Sequence, residues 1–387
     1  MASAMRVALF TGNYNYVREG ANQALNRLVG HLEARGHAVR VYSPVTDTPA
    51  FEPTGTLIPV PSITLPVRSE FQLALGIPKH IRRDVAAFAP DIVHVSTPDI
   101  LGTRAQTMAK AMGVPVVASL HTLFETYVEH YGLRWLRPTV EAHLRRFYRR
   151  SDHVLVPTPA LRDAMHADGI ARVGIWSRGI DRDRFSPARR DPEWRRAQGF
   201  GDDDIAILFF GRLLIEKGVD IFVATMKALE ARYGERVRAL VVGAGPAEAR
   251  FAGLSGAVLT GHLDGDDLAR AVASADIFLT PSTTESFGNV TLEAMAAGLA
   301  VVSADAPSSR SLIDPGRTGL LCAATDIAAY ADAIATLIDA RAERSHMAAA
   351  AREASVAYTW DAASSAVETA YVQTLSSNAR QAAGQAR

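Results

Sequence analysis

The chain contains 387 residues, of which 48% are hydrophobic and 21% are charged, and its 41 basic residues balance 41 acidic ones. This composition excludes intrinsic disorder as the main state, and the balanced charge disfavours a nucleic-acid-binding protein. The single cysteine, Cys322, excludes a disulfide framework and a cysteine-based metal cluster. At roughly 100–200 residues per domain, the length predicts two domains.

Short apolar runs alternate with helix-periodic segments along the first half of the chain. The first run, residues 7–10, is too short for the core of a signal peptide, so we expect a cytoplasmic protein. Strands are predicted at residues 7–10, 38–42, 91–95, 114–119 and 153–156. Helices are predicted at residues 21–34, 101–112 and 138–149. Such a series is typical of a parallel sheet with helices on both faces.

The same pattern restarts after Pro187 and predicts a second domain. Strands are predicted at residues 205–210, 237–242, 258–260, 277–279 and 300–303, and a helix at residues 219–233. The polar stretch 186–204 is interpreted as a hinge, which gives an N-terminal domain of residues 1–185 and a C-terminal domain of residues 186–355. Residues 356–387 are predicted to form a helix that packs back towards the N-terminal domain and ends in a frayed tail. Two doubly wound domains would face each other across a cleft, where the strands' carboxyl ends bind ligands.

The loop after the strand at residues 205–210 carries two cations between glycines. Arg212 and Lys217 lie five residues apart, between Gly211 and Gly218. Glycine lets the backbone approach an anion, and the two cations offset negative charge, so the pattern suits a diphosphate. It is not a Walker loop, because the Gly-Lys-Ser/Thr ending is absent from the sequence. An ordinary solvated loop is the alternative.

A second segment contains two glutamates, Glu285 and Glu293, separated by seven residues. Asn289 or Ser286 is predicted to cap a helix that follows Glu285, and the N–H groups at that helix end favour a phosphate. Glu285 and Glu293 could then reach opposite ends of one elongated ligand. The alternatives are a solvated loop for Glu285 and a favourable position in the helix dipole for Glu293.

Together these two segments resemble the family-4 retaining glycosyltransferases, whose α/β GT-B fold has two Rossmann-like domains facing each other across a cleft. Within that family the chain is most similar to the branch of glycolipid mannosyltransferases and sulfoquinovosyl-diacylglycerol synthases. The resemblance spans residues 6–374, and the cation loop and the Glu-x7-Glu segment are specific as a pair. Residues 176–181, Trp-Ser-Arg-Gly-Ile-Asp, resemble the interdomain Arg-Gly-Val-Asp element of the branch.

The resemblance implies a role for each matching position. Arg212 and Lys217 would bind the donor diphosphate and stabilise it as it leaves. Glu285 would hold hydroxyls of the donor sugar, and Glu293 would bind the ribose hydroxyls. His121 matches a histidine near the transferred sugar and the reaction centre. The remaining nucleotide-sugar-binding positions are Gly20, Gly211, Leu263, Phe287, Gly288, Asn289 and Val290.

Three Asp-x-Asp strings, at residues 181–183, 202–204 and 264–266, are of the kind that holds a metal in other glycosyltransferases. Here their positions after the interdomain element, in the hinge and before a helix favour structural roles. The Gly-Ala-Gly string at residues 243–245 is interpreted as a strand-to-helix turn, because position 248 is Glu. We therefore expect no metal ion and no cofactor besides the nucleotide-sugar donor.

Residues 133–150 contain six arginines and one glutamate, a local net charge of +5. The apolar residues of this segment are Trp135, Leu136, Leu144, Phe147 and Tyr148. A basic amphipathic segment can lie on an anionic membrane, at about 1 kcal/mol per cation near the surface. Such contact would place the protein at the cytoplasmic face of the membrane. The alternative is a helix with a solvated face.

The sequence thus predicts a metal-independent, retaining glycosyltransferase that moves a hexose from GDP-mannose or a UDP-hexose to an acceptor, with a membrane lipid favoured. No residue presents itself in the sequence as a covalent nucleophile. Same-face attack, with the departing phosphate oxygen taking the acceptor proton, is therefore the preferred mechanism. The alternatives are a sugar-nucleotide epimerase or phosphorylase of the same fold, and a non-catalytic nucleotide-sugar-binding module.

Overall fold

A computed structural model describes residues 4–17, 19–64, 71–123 and 134–385 of the chain. The chain divides into two compact units, an N-terminal unit of Met1–Arg178 with Trp360–Arg387 and a C-terminal unit of Gly179–Thr359. The first boundary therefore lies before the polar stretch 186–204, which belongs to the C-terminal unit.

The N-terminal unit is built on a parallel sheet. Its strands are β1 (Arg6–Phe10), β2 (Ala38–Ser43), β3 (Thr56–Pro59), β4 (Ser62–Thr64), β5 (Gln72–Ala74), β6 (Ile92–Val95), β7 (Val116–Ser119), β8 (His153–Val156) and β9 (Val173–Ile175). Its helices before residue 178 are α1 (Gly20–Ala34), α2 (Lys79–Phe88), α3 (Ile100–Ala111), α4 (Arg137–Arg149) and α5 (Pro159–Ala167). Within the described residues, the sheet order is β3-β2-β1-β6-β7-β8-β9, and β4 and β5 form a separate antiparallel pair.

The C-terminal unit contains a second parallel sheet. Its strands are β10 (Ile205–Phe210), β11 (Val237–Val242), β12 (Val258–Gly261), β13 (Ile277–Thr280), β14 (Ala300–Ala304) and β15 (Leu320–Cys322), in the order β12-β11-β10-β13-β14-β15. Its helices are α6 (Pro192–Ala197), α7 (Val219–Tyr233), α8 (Gly265–Ala273), α9 (Asn289–Ala296), α10 (Pro307–Leu312), α11 (Ile327–Asp339) and α12 (Arg341–Ala354). The last helix, α13 (Trp360–Gln385), returns to the N-terminal unit.

Each sheet is covered on both faces, which confirms the doubly wound architecture. Along β10, Ile207 and Phe209 join one buried apolar cluster, whereas Ala206 and Leu208 join another. Since successive side chains of a strand point to opposite faces, the two clusters lie on opposite sides of the sheet. This burial explains why the central strands are continuous apolar runs without polar alternation.

The predicted strands are all present, and the strands that the sequence analysis missed are short and partly exposed. Neither β3 nor β4 contains a fully buried residue, and both mix polar with apolar side chains. Their sequences therefore lack the buried apolar run by which the other strands were identified.

An ion cluster attaches α13 to the N-terminal unit. Glu368 on α13 accepts from Arg35 Nε at 2.7 Å and pairs with the ring Nε2 of His37 at 3.1 Å and of His31 at 3.3 Å. The Met5 backbone N–H donates to His37 Nδ1, so Nε2 of the neutral His37 ring carries the proton. Although burial alone raises the pKa of Glu368, the bonds from His37, Arg35 and His31 lower it overall.

The strand order of the C-terminal unit also decides where the loops that carry Lys217 and Glu285 meet. From β10 the chain moves outward through β11 and β12 and then returns to β13 on the other side of β10. The neighbouring strands β10 and β13 thus form a topological switch point, where loops diverge and leave a crevice for a ligand.

Candidate active site

The cation loop and the first glutamate meet at this switch point. Lys217 follows β10 and Glu285 follows β13, and Lys217 Nζ lies 2.6 Å from Glu285 Oε1. The Ser282 hydroxyl donates to the same carboxylate oxygen at 3.3 Å. Both charged side chains remain about one-fifth exposed, 22% for Lys217 and 23% for Glu285. The site therefore offers an accessible cation and an accessible carboxylate at the carboxyl ends of two neighbouring strands.

Backbone packing holds the cation loop in place. Leu213 N–H donates to the Ala244 carbonyl at 3.0 Å, which ties the loop after β10 to the loop after β11. Gly218 has φ +79°, and a Cβ there would lie within 3.0 Å of the Pro281 backbone. Only glycine fits this left-handed position and this close approach. Arg212, in the same loop, is partly buried.

Helix α9 begins at Asn289, and Gly288 occupies the N-cap position with φ +100° and no side-chain cap bond. The prediction that Asn289 or Ser286 caps this helix is therefore wrong, because a glycine in a left-handed conformation makes the turn instead. Asn289 Oδ1 is buried and has no hydrogen-bond partner among the described residues.

Glu293 lies on α9 and is partly buried. Burial raises the pKa of its carboxyl to about 8, against the opposing effect of the Arg184 guanidinium. The carboxyl is therefore mostly protonated at neutral pH, so it can donate one hydrogen bond as well as accept.

The other sequence-predicted positions of the C-terminal unit lie after β10, β12 and β13 or at the start of α9. Phe287 is buried, and its ring packs against Tyr358 with centroids 5.9 Å apart, so only its backbone can serve a ligand. A Cβ on Gly211 would lie 3.8 Å from Val290 Cγ1, which places the cation loop beside the start of α9. Leu263 follows β12 and packs partly buried against the core.

Two predicted site residues belong to the N-terminal unit. Gly20 is the first residue of α1, where Glu19 and Asn22 form a capping box. The adjacent Arg18 lies outside the described residues. His121 follows β7, and both of its ring nitrogens are engaged, Nδ1 by Arg178 at 2.9 Å and Nε2 by Ser119 Oγ at 2.8 Å.

The sequence analysis missed the residues that surround His121. His94 lies on β6 and shares Ser119 Oγ with His121, and Tyr371 on α13 contacts the other nitrogen of His94. A histidine inside the apolar run of β6 is a signal that could have been noticed, since a buried polar residue requires a partner. Tyr371 carries no such signal, because nothing in its local sequence links it to β6.

The Asp-x-Asp strings have structural contacts. Asp181 Oδ1 accepts from the backbone N–H groups of Asp183 and Arg184 and so closes a turn. Asp204 Oδ2 accepts from Gly201 N–H, and Asp264 is the N-cap residue of α8. Within the described residues, no cluster of three or more metal-ligating side chains occurs.

Most of the basic segment 133–150 forms α4 (Arg137–Arg149), and the structure corrects the prediction for its apolar side chains. Phe147 and Tyr148 are 2% and 3% exposed and belong to the core, so they cannot contact a membrane. Trp135 is 74% exposed, whereas Leu133 and the side chain of Arg134 lie outside the described part. In the residues that the structure describes, no helix has the length and apolar character needed to cross a membrane.

Basic side chains of α4 and α3 line a surface pocket of about 620 Å³. Three of the arginines also have local partners. Arg145 lies 3.5 Å from Asp168 Oδ1, Arg149 donates to the Asp168 carbonyl, and Arg150 donates to the Thr107 hydroxyl at 2.9 Å. The charged residues that line the pocket are Lys110, Arg145, Arg146, Arg149 and Arg150.

Both halves of the chain match described families. The Glycosyltransferase Family 4 profile matches residues 18–184, and the profile of glycosyl transferases group 1 matches residues 204–340. A sulfoquinovosyl transferase of Arabidopsis thaliana is 31% identical to this chain over 95% of its length and 73% of the relative's own length. A GDP-mannose-dependent alpha-mannosyltransferase of Mycobacterium tuberculosis is 34% identical over 92% of this chain and 93% of that protein.

Solved structures share the architecture at low sequence identity. Sucrose-phosphate synthase from Thermosynechococcus elongatus has a TM-score of 0.78 at 20% identity and covers 96% of this chain and 100% of its own. An Anabaena protein solved in complex with UDP-glucose has a TM-score of 0.71 at 19% identity, with coverage of 96% and 100%. These matches confirm the GT-B fold, and the relatives above 30% identity confirm the predicted resemblance. The chain therefore belongs to the family 4 glycosyltransferases.

Proposed function

We propose that this glycosyltransferase moves a hexose from a nucleotide sugar to a membrane lipid, with retention of anomeric configuration and without a metal ion. The observation that carries the donor assignment is the Lys217–Glu285 pair at the switch point of the C-terminal sheet. The named donor of the mycobacterial relative and the UDP-glucose bound to the Anabaena protein support a nucleotide sugar.

The ion pair suggests how the donor site works. A diphosphate brought to this loop competes for the Lys217 ammonium and frees Glu285 to accept hydrogen bonds from sugar hydroxyls. As the anomeric C–O bond breaks, negative charge grows on the leaving diphosphate, and Lys217 and Arg212 stabilise it. The two residues therefore favour the transition state over the bound donor.

The acceptor hydroxyl attacks the anomeric carbon from the face that the diphosphate leaves, and the departing phosphate oxygen takes the hydroxyl proton. This route forms one glycosidic C–O bond and breaks one, and it needs no covalent glycosyl-enzyme. Hydrogen bonds from Ser282 and from the sugar hydroxyls would leave Glu285 a weaker nucleophile than a free carboxylate, which supports this route. Glu293, mostly protonated at pH 7, would donate to one ribose hydroxyl and accept from another.

A lipid acceptor is supported by the basic pocket on α4 and by the relatives' names. One relative is an alpha-monoglucosyldiacylglycerol synthase of Streptococcus pneumoniae, and another is a phosphatidyl-myo-inositol mannosyltransferase of Mycobacterium leprae. The pocket's five cations would attract an anionic bilayer, and the exposed Trp135 would sit at its interface. Peripheral binding would thus bring the N-terminal unit to its acceptor.

The donor assignment is tested by calorimetric titration with GDP-mannose, UDP-glucose and UDP-glucuronate, followed by mass spectrometry of products from membrane lipid extracts. We expect one donor to bind and its hexose to appear on a lipid, with the anomeric configuration of the donor by NMR. An inverted product would contradict retention, and loss of turnover in EDTA would contradict metal independence. An epimerised donor formed without any acceptor would favour the epimerase alternative.

Vesicle sedimentation tests the membrane contact. The enzyme should pellet with acidic-lipid vesicles at low salt and be released as the Debye length falls from about 30 Å at 0.01 M to about 8 Å at 0.15 M. Replacing the four pocket arginines, Arg145, Arg146, Arg149 and Arg150, with Gln should reduce both vesicle binding and lipid turnover. The matched control replaces four exposed arginines of the C-terminal unit with Gln: Arg232, Arg250, Arg310 and Arg317. Equal losses in both variants would mean that net charge alone decides binding.

A further inference from the structure

A row of hydrogen bonds runs through the N-terminal unit from Arg178 to α13. Arg178 Nη2 lies 2.9 Å from His121 Nδ1, and His121 Nε2 lies 2.8 Å from Ser119 Oγ. Ser119 Oγ lies 2.8 Å from His94 Nε2, and His94 Nδ1 lies 2.5 Å from the Tyr371 hydroxyl. Four of the five side chains are at most 3% exposed, and only His121 is partly exposed.

The donor and acceptor capacity of each group fixes the direction of every hydrogen bond in this row. A guanidinium can only donate, so His121 Nδ1 must accept, and the proton of a neutral His121 ring must lie on Nε2. That proton is donated to Ser119 Oγ, which leaves the Ser119 hydroxyl proton for His94 Nε2. His94 then carries its proton on Nδ1 and donates it to the Tyr371 hydroxyl. One cation thus sets the tautomers of two histidines.

The surroundings keep both histidines neutral. Burial lowers the pKa of His94 to about 3, and burial together with the charge of Arg178 and the neighbouring His94 lowers the pKa of His121 well below its ordinary value. Burial also lowers the pKa of Arg178, to about 10, so the guanidinium stays charged at neutral pH. Trp176 packs edge-on against both imidazoles, with ring centroids 5.8 Å from His94 and 5.0 Å from His121.

We infer that Arg178 locks His121 as the neutral Nε2–H tautomer, so that His121 neither takes nor gives a proton during transfer, and that Arg178, Ser119, His94 and Tyr371 are positioning residues for it. The link to transfer rests on the proposed function, whereas the tautomer itself does not. The other hydrogen bonds of Arg178 go to the carbonyl oxygens of Trp176 and Ser177, so its cation is held by neutral groups.

A neutral His121 ring is compatible with the charge that develops on the sugar during transfer. Positive charge develops on the sugar as its anomeric C–O bond breaks. An imidazolium at His121 would repel that charge, and the guanidinium on Nδ1 prevents protonation there. In the proposed reaction His121 would present a neutral ring to the transferred sugar, as the family resemblance implies, while the acceptor proton goes to the departing phosphate oxygen.

The tautomer is measured by two-bond 1H–15N correlation on the full-length protein labelled at histidine, with the His121 signals assigned by their loss in His121→Asn. We expect an unprotonated Nδ1 and a protonated Nε2, unchanged from about pH 5.5 to about pH 8.5, where a free histidine titrates. A protonated Nδ1, or titration within this range, would overturn the inference. No donor or acceptor is present, so failure of the proposed function cannot mimic either result.

Kinetics then test the positioning role. Ser119→Ala removes the hydrogen bonds of Ser119 Oγ to both His121 and His94. Because one of these two bonds holds His121 directly, kcat should fall about five- to tenfold, with the donor KM and the shape of the pH profile of kcat unchanged. Ser119→Thr, which keeps the hydroxyl, should recover most of the rate. If the acidic limb of the pH profile of kcat were lost or shifted in Ser119→Ala, His121 would be a titrating base and the inference would be refuted.

Two tyrosine-to-phenylalanine variants test whether Tyr371 belongs to the row. Tyr371→Phe removes the hydroxyl that accepts from His94, and the His121 signals should broaden or shift. Tyr330→Phe removes an equally buried hydroxyl that has no partner in the described part of the C-terminal unit, and the same signals should not move. If both variants leave the His121 signals unchanged, the row ends at Ser119 and the assignment of His94 and Tyr371 is wrong.

Discussion

The raised pKa of Glu293 predicts that this residue destabilises the C-terminal unit as pH rises. The unfolded carboxyl loses its proton near pH 4.5, whereas the folded carboxyl keeps it to about pH 8. Between these values the unfolded state binds fewer protons, so the free energy of unfolding falls with increasing pH. From the two pKa values, Glu293 lowers the free energy of unfolding by less than about 1 kcal/mol at pH 5 and by about 3 kcal/mol at pH 7.

Glu293→Gln removes the ionisation and keeps the shape of the side chain. We expect the variant to be more stable than wild type by about 3 kcal/mol at pH 7 and by less than about 1 kcal/mol at pH 5. Glu285→Gln is the matched control in the same segment. It should gain no stability at either pH, because its carboxylate is paired with Lys217.

The assay is urea-dependent hydrogen exchange of peptides from β10 and β13, which belong to the same unit as Glu293. The stability of each variant relative to wild type is compared at the two pH values. A stability difference that does not change with pH, or a Glu293→Gln variant less stable than wild type at pH 7, would refute the argument from burial. Equal gains in Glu285→Gln would show that removing any carboxylate from this segment has the same effect.

The remaining predictions concern the cation loop and α13. Lys217→Ala should lower kcat on the order of a hundredfold in steady-state assays with little change in thermal stability, and wild-type turnover would remove its diphosphate role. Gly218→Ala should reduce thermal stability, because its Cβ meets the Pro281 backbone, whereas Gly36→Ala, with φ +85° and open space, measures backbone strain alone. Glu368→Ala should lower the free energy of unfolding in urea by about 2 kcal/mol, through the loss of hydrogen bonds to a charged group. An unchanged free energy of unfolding would contradict the role of this cluster in attaching α13.

Much of the fold was determined by local sequence. The central strands are apolar runs because a doubly wound sheet buries both faces, and that pattern identified them without any tertiary information. The two motifs with Arg212, Lys217, Glu285 and Glu293 lie in the loops and helix that follow strands, where the sequence analysis placed them. The family resemblance followed from the same residues.

Periodicity alone could not tell what an apolar face contacts. The arginines and aromatics of α4 gave an amphipathic pattern, yet Phe147 and Tyr148 pack into the core. A helix that faces its own sheet and a helix that faces a bilayer share one sequence period, so only the packing of neighbouring elements distinguishes them. Likewise the cap of α9 depends on the conformation of Gly288, which the residue type permits but does not require.

Only the tertiary structure brought distant side chains together. Lys217 and Glu285 are 68 residues apart, and His94 and Tyr371 are 277 apart. The first contact depends on the strand order that makes β10 and β13 neighbours, and the second on the return of α13 to the N-terminal unit. Such contacts depend on how whole helices and strands pack, and local sequence patterns do not specify that packing. The hydrogen-bond row that sets the tautomer of His121 is therefore visible only in the folded structure.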